Sequence, residues 1–132
     1  MSEKKHAVLS ASSAHRWLAC PPSALACAGV KDTASEYAQQ GTDAHSLCEY
    51  KLLKSLGQKA KDPTENLTYF DEEMADCSDA YAAFVQEQVE VAKQKCADPI
   101  VLVEQRLDFS KYVPDGFGTG DCVIVGDGAL SV

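Results

Sequence analysis

The sequence predicts an α+β (α/β) fold in which helices lead and a mixed β-sheet follows. Two observations carry this. Apolar residues recur at helical spacing up to about residue 97, and Val- and Ile-rich runs punctuated by glycine turns follow from residue 100. At 132 residues the chain has room for one domain with a modest core, so a single domain is expected over residues 1–132, helical over 10–97 and sheet over 100–132. The closing run Ala129-Leu130-Ser131-Val132 reads as a strand in progress, so the sheet is expected to be incomplete and the domain truncated.

The elements follow in order. Ser10 to Cys20 reads as a short helix, with serines as N-cap oxygens, Trp17 and Leu18 as apolar anchors, and Pro21-Pro22 as its stop. Residues 23–40, rich in Ala and short polar groups, are expected to be a loop with at most a weak helical turn. Gly41-Thr42 opens a firmer helix with Thr42 as N-cap and a stop near Gly57. On it His45, Glu49, Leu52 and Leu56 fall on one stripe, so the upper end of a core-facing surface is ionisable. Lys59 to Asn66, with Pro63, reads as a linker.

Asp71 caps a long helix, with Glu72 and Glu73 at its positive end and Lys93 and Lys95 near its negative end. Its expected apolar face is Met74, Cys77, Tyr81, Phe84, Val85, Val91 and Ala92. Asp98-Pro99 closes it. Ile100 to Phe109 reads as a strand in which Glu104 shares a face with Ile100, Leu102 and Arg106. Pro114 to Gly120 reads as a glycine-rich turn feeding a strand from Asp121, and Gly126-Asp127-Gly128 as a tight turn into the last strand.

The formal charge of -8, from 20 acidic and 12 basic residues, argues against a protein that coats nucleic acid through a basic surface. It leaves room for a nuclease, whose metal-binding carboxylates are acidic by necessity. The N-terminus is polar and leads into no long apolar run, so no membrane span and a cytoplasmic location are expected. Six cysteines, at 20, 27, 48, 77, 96 and 122, form no CxxC pair and read as reduced thiols.

Three residues stand out as a candidate site. Phosphodiester hydrolysis assisted by Mg²⁺ or Mn²⁺ needs hard oxygen ligands, and a histidine can supplement them, particularly with Mn²⁺. Asp121 follows Gly118-Thr119-Gly120, where a phosphate can approach closely. Glu104 sits inside an apolar strand, where burial is costly without a partner. Each also has a plain structural reading: Asp121 as a turn or cap residue, Glu104 paired with Arg106 or a lysine, and His45 paired with or oriented by Glu49.

Context adds to these residues. Ser10-Ala11-Ser12-Ser13-Ala14-His15-Arg16-Trp17-Leu18-Ala19-Cys20-Pro21-Pro22 resembles the Ser-x-Ser…Trp…Cys-Pro motif of RecB-type and CRISPR-associated exonucleases of the PD-(D/E)XK superfamily. Gly41-Thr42-Asp43-Ala44-His45 is similar to their Gly-x-x-x-His helix, Val103-Glu104 to their strand glutamate, and Gly118-Thr119-Gly120-Asp121 to their Gly-x-x-Asp motif. The chain also resembles a phage and prophage family with this core.

The resemblance covers about Ser10 to Val132 and implies an incomplete restriction-endonuclease-like core. It implies a metal-dependent DNA nuclease, with His45, Asp121 and Glu104 as Mg²⁺ or Mn²⁺ ligands and Asp121 and Glu104 as catalytic acids. DNA and phage recombination or replication proteins are the implied partners. An acidic-x-Lys pair is expected just beyond Val132, so these residues alone are expected to be inactive or nearly so. In some relatives an early cysteine joins three near the C-terminus in a [4Fe–4S] cluster, and Cys20 matches that position; here it reads more simply as a small buried residue. Two other functions stay open: a non-catalytic nuclease-fold module binding DNA ends or a phage protein, and a helical interaction protein using residues 71–97. An unpaired sheet edge is expected to favour self-association.

Overall fold

The computed structural model describes residues 6–31 and 33–132; the polar start Met1–Lys5 lies outside the described residues. The described elements run α1 (Ala14–Ala19), α2 (Pro22–Ala28), α3 (Glu36–Ser55), α4 (Glu72–Lys95), β1 (Ile100–Asp108), β2 (Phe117–Gly126) and β3 (Ala129–Ser131). Short 3-10 turns precede α1, at Ala11–Ser13, and α4, at Thr64–Asn66. The fold is therefore α+β, with helices first. Its strands pair in the order β1-β2-β3, and the sheet is antiparallel, without the parallel pairing a mixed sheet would include.

The described residues group into two compact units: the N-terminal helices with Gln105–Gly120, and Thr33–Glu104 with Asp121–Val132. In the first unit the serines act differently from the expected caps. No serine oxygen caps α1; Ser10 Oγ instead meets Ser13 Oγ at 2.7 Å, and Trp17 Nε1 donates to the Ser10 carbonyl at 2.9 Å. Pro21-Pro22 ends α1 and also starts α2, because the ring-fixed φ of Pro22 suits the first helical turn, where no N–H is needed.

The glycines of this unit belong to a strand and its approach, correcting the turn expected over 114–120. β2 already begins at Phe117. Gly116 is required by close approach, since a Cβ there would come within 2.7 Å of the Phe109 ring and 2.8 Å of the Val113 carbonyl oxygen, whereas one on Gly118 would make an ordinary 3.6 Å contact. The chain reverses instead between Phe109 and Gly116, where the Phe109 N–H donates to the Gly116 carbonyl at 3.1 Å.

The second unit holds α3 and α4 against the strands. α3 starts at Glu36, well before the expected Thr42, because Ser35 Oγ accepts from the Ala38 N–H and Glu36 sits favourably at the positive end of the dipole. Gly41 thus lies inside a helix. At the other end Gly57, at φ 74°, closes α3, with the Gln58 N–H reaching the Leu53 carbonyl at 2.9 Å. The expected stop is met.

α4 begins as its sequence indicates, with the Asp71 carboxylate accepting from the Met74 N–H at 2.7 Å. Its buried face is Met74, Ser78, Ala82, Val85 and Val89, with Tyr81 and Ala92 half-buried against the core. Phe84, Val91 and Cys77 are exposed, contrary to expectation. The stripe 74-78-82-85-89 keeps strict helical spacing only by admitting Ser78, whose hydroxyl donates to the Met74 carbonyl at 2.6 Å.

Leu52 of α3, Val85 and Val89 of α4, and Ile124 of β2 form the core, and Leu56, Val101, Val103 and Cys122 pack against it. Burying a side chain such as Leu52 completely stabilises the fold by roughly 1.5–3 kcal/mol. Beyond Gly126, Asp127 and Gly128 take φ of 45° and 76°, the two positive values a tight hairpin turn requires, and Gly126 pairs with Ala129. No described helix is long and apolar enough to cross a membrane.

Candidate metal centre

Three elements of the second unit meet at one end of its core. His45 rides on α3, seven residues before the buried Leu52, so the helix that anchors the core also fixes the imidazole. Half a turn before it, buried Asp43 locks this stretch of helix in place. Its carboxylate accepts from the Tyr69 N–H and from Gln39 Nε2, both at 2.9 Å. The Tyr69 N–H holds the Asp43 carboxyl below the ordinary aspartate value, against the upward push of burial and with help from Gln39.

Glu104 reaches the same place through a backbone irregularity. Val101 and Val103 of β1 pack on the core, so regular alternation would turn Glu104 to the opposite face with Ile100 and Leu102, as expected from the sequence. Glu104 instead has φ 53°, a left-handed conformation costing a non-glycine residue roughly 1–2 kcal/mol. That break in the alternation brings its carboxylate to the helix side, where Oε1 is hydrogen-bonded to His45 Nε2. The partner of Glu104 is thus a helix histidine, whereas Arg106 lies over the Phe117 ring.

Asp121 completes the group, with Oδ1 3.7 Å from His45 Nε2. One ligand atom from each of His45, Glu104 and Asp121 lies within 4.8 Å of the others. An octahedral ion with bonds of about 2.1 Å places its ligands about 3.0 Å apart when adjacent and about 4.2 Å apart when opposite, so little closing would suit Mg²⁺ or Mn²⁺. Donor chemistry agrees: one imidazole and two carboxylates. The His45 and Asp121 side chains are 43% and 66% exposed, leaving positions open to water or substrate.

The three residues line a cavity of about 210 Å³ with Gly41, Ala44, Cys48, Glu49 and Tyr81. No lysine or arginine is among these lining residues, so three carboxylates face the space with only an imidazole to offset them, and a cation is the complement. Gly41 has no steric need to be glycine, since an added Cβ would meet nothing within 4 Å, although a mid-helix glycine costs about 1 kcal/mol relative to alanine. Glu49, expected to orient His45, lines the cavity while Nε2 of His45 engages Glu104.

Sequence reasoning brought His45, Glu104 and Asp121 forward and placed Tyr81 only on an apolar face. Burial pushes the Tyr81 phenol up to about 12, reinforced by Cys122, Asp121, Cys48 and Glu104. Burial, then Asp121, also raises the Cys122 thiol. The i+7 spacing from Met74 that marks Tyr81 as core-facing gave no sign that its hydroxyl reaches an ionisable cluster. Cys20, read as a small buried residue, is exposed at the end of α1 and joins no group of three potential ligands among the described residues. The proline that follows starts α2 and leaves the thiol uncovered.

No solved structure matches the chain. It belongs to the family described as Protein of unknown function (DUF2800), whose model matches residues 6–132.

Proposed function

We propose that this DUF2800 chain carries the metal site of a DNA nuclease, with His45, Glu104 and Asp121 holding one Mg²⁺ or Mn²⁺ for phosphodiester hydrolysis. The observation that supports this is convergence: three residues singled out by motif resemblance bring their ligand atoms within 4.8 Å of one another. Such an ion, when bound, lowers the pKa of its water and polarises a phosphoryl oxygen. Within the chain, His45 would offer Nε2, whose hydrogen bond to Glu104 gives way to the ion, and Glu104 and Asp121 would offer carboxylate oxygens. Together they stand at the mouth of a cavity open to substrate.

The resemblance further implies an acidic-x-Lys pair, and none follows Asp121 within these 132 residues. Weak or absent cleavage by these residues alone is therefore part of the proposal. The second reading, a non-catalytic nuclease-fold module that binds DNA ends or a phage protein, draws on the same observation and on the lack of a lysine in the cavity. DNA, phage recombination or replication proteins, and a second copy of the chain are the proposed partners, and the cytoplasm the proposed location. A [4Fe–4S] role for Cys20 would require three further thiolates around an exposed side chain.

Calorimetric titration with Mn²⁺ tests the site. We expect one ion per chain, with affinity reduced at least tenfold in His45→Ala and in Asp121→Ala while both variants keep the wild-type circular dichroism. A wild-type chain that takes up no Mn²⁺, or variants that bind it equally well, would remove the proposal. Cleavage of linear DNA in Mn²⁺, however weak, that is lost in Asp121→Ala would support the nuclease over the module, whereas metal-dependent DNA binding without cleavage is compatible with both.

A further inference from the structure

We infer that the Tyr81 hydroxyl, lining the same cavity as His45, Glu104 and Asp121, is the donor that holds a non-bridging phosphoryl oxygen of the nucleic acid beside the metal. This rests on the nuclease-type metal site proposed above and names a residue outside its ligand set.

A phosphodiester presents acceptors only, so the pocket that receives it needs hydrogen-bond donors. Among the cavity-lining side chains, Glu49, Glu104 and Asp121 are carboxylate acceptors, His45 turns Nε2 to Glu104 or to a bound ion with Nδ1 on the far side of the ring, and Gly41 and Ala44 offer nothing. Cys48 is a weak donor. The phenol of Tyr81 is the strong neutral donor that remains.

Its placement suits the task. The ring packs against the core made by Leu52, Val85, Val89 and Ile124, so the hydroxyl is carried on a rigid helix with its rotamer fixed by packing. Among the described residues that hydroxyl has no hydrogen-bond partner and is not a fully buried atom, while Tyr81 lines the cavity. Water therefore reaches this hydroxyl, and an incoming phosphoryl oxygen would take that water's place. Were its purpose to orient Glu104 or Asp121, a bond to one of those carboxylates would be the expected arrangement. Its freedom points to an incoming acceptor.

The test compares wild type with Tyr81→Phe, which keeps the ring and its packing. Mn²⁺ affinity is measured by calorimetry, and affinity for a fluorescent short oligothymidylate by anisotropy with Mn²⁺ present. Tyr81→Phe is expected to bind Mn²⁺ within about twofold of wild type and the oligonucleotide about tenfold more weakly, as loss of one hydrogen bond to a charged oxygen implies. Equal oligonucleotide affinity in both proteins would overturn the inference while leaving the metal site standing. So would wild type that binds Mn²⁺ but no oligonucleotide. Loss of Mn²⁺ binding in Tyr81→Phe would also overturn it, by moving the role of Tyr81 to the metal ligands. Failure of wild type to bind Mn²⁺ would sink the underlying reading as well.

Discussion

His45 on α3 and Glu104 in β1, 59 positions apart, are hydrogen-bonded through Nε2 and Oε1. The contact depends on the left-handed backbone of Glu104, which interrupts the strand alternation set by Val101 and Val103. Backbone strain in mid-strand is sustained only where surrounding packing over-determines it, and such positions cluster at functional sites.

The strain can be weighed directly. In Glu104→Gly the left-handed cost of roughly 1–2 kcal/mol disappears and about 0.5–1 kcal/mol of glycine entropy replaces it, so stability should equal that of wild type or exceed it by up to about 1.5 kcal/mol. Glu104→Val, β-branched at the same φ, should be less stable than either by about 1 kcal/mol or more. Urea midpoints rank the three proteins. A valine variant at least as stable as the glycine variant would mean that the conformation is unstrained.

Asp43 should make a pH-dependent contribution. Its folded pKa lies below the ordinary aspartate value of 3.8, so its stabilisation is fully present above that value and lost as pH falls through the lower, folded one. Asp43→Asn should therefore lower the melting temperature at neutral pH, with the gap to wild type narrowing below about pH 4. Paired melts across that range give the check; a gap that is constant with pH would contradict it.

Leu52 is fully buried and sits on the same helix as His45, seven residues on. Leu52→Ala should cost about 2–5 kcal/mol, through lost burial and the cavity left behind. Chemical denaturation measures it, and a loss below about 1 kcal/mol would show that the core is not where Leu52, Val85, Val89 and Ile124 place it.

β3 lies at an end of the described three-strand order, and its three residues are exposed. Self-association should therefore rise with concentration in sedimentation velocity, and Leu130→Lys should suppress it, since charge on an edge strand opposes pairing with another chain. A wild-type monomer at all concentrations would end this part of the account.

Much of the architecture was legible because it rests on local chemistry. Asp71 with Glu72 and Glu73 marks the start of α4, Gly57 marks the end of α3, and Asp127-Gly128 marks the last hairpin. The start of α3 was obscured by Gly41 and Thr42, which look like a boundary but are carried within a helix that Ser35 had already capped. Ser78 was hidden by its polarity, since its hydroxyl is satisfied by its own helix. Gly116 and Gly118 looked like a turn because the glycine pattern does not show that Gly116 is held against the Phe109 ring and the Val113 carbonyl.

The site divides in the same way. His45, Glu104 and Asp121 stood out through motif resemblance, whereas the route by which Glu104 arrives did not, because a two-residue period cannot announce its own interruption. Tyr81 matched a core position by spacing, and its ring does pack on the core. Its hydroxyl also feels the charges of the ionisable cluster, and no helical periodicity distinguishes one end of a side chain from the other.

The most direct measurement is anomalous diffraction from crystals of the chain grown with Mn²⁺. One strong peak is expected about 2.0–2.3 Å from His45 Nε2 and from a carboxylate oxygen of both Glu104 and Asp121, and no such peak in Asp121→Ala crystals. A map without density among these three side chains, at Mn²⁺ concentrations that saturate binding in solution, would contradict that expectation.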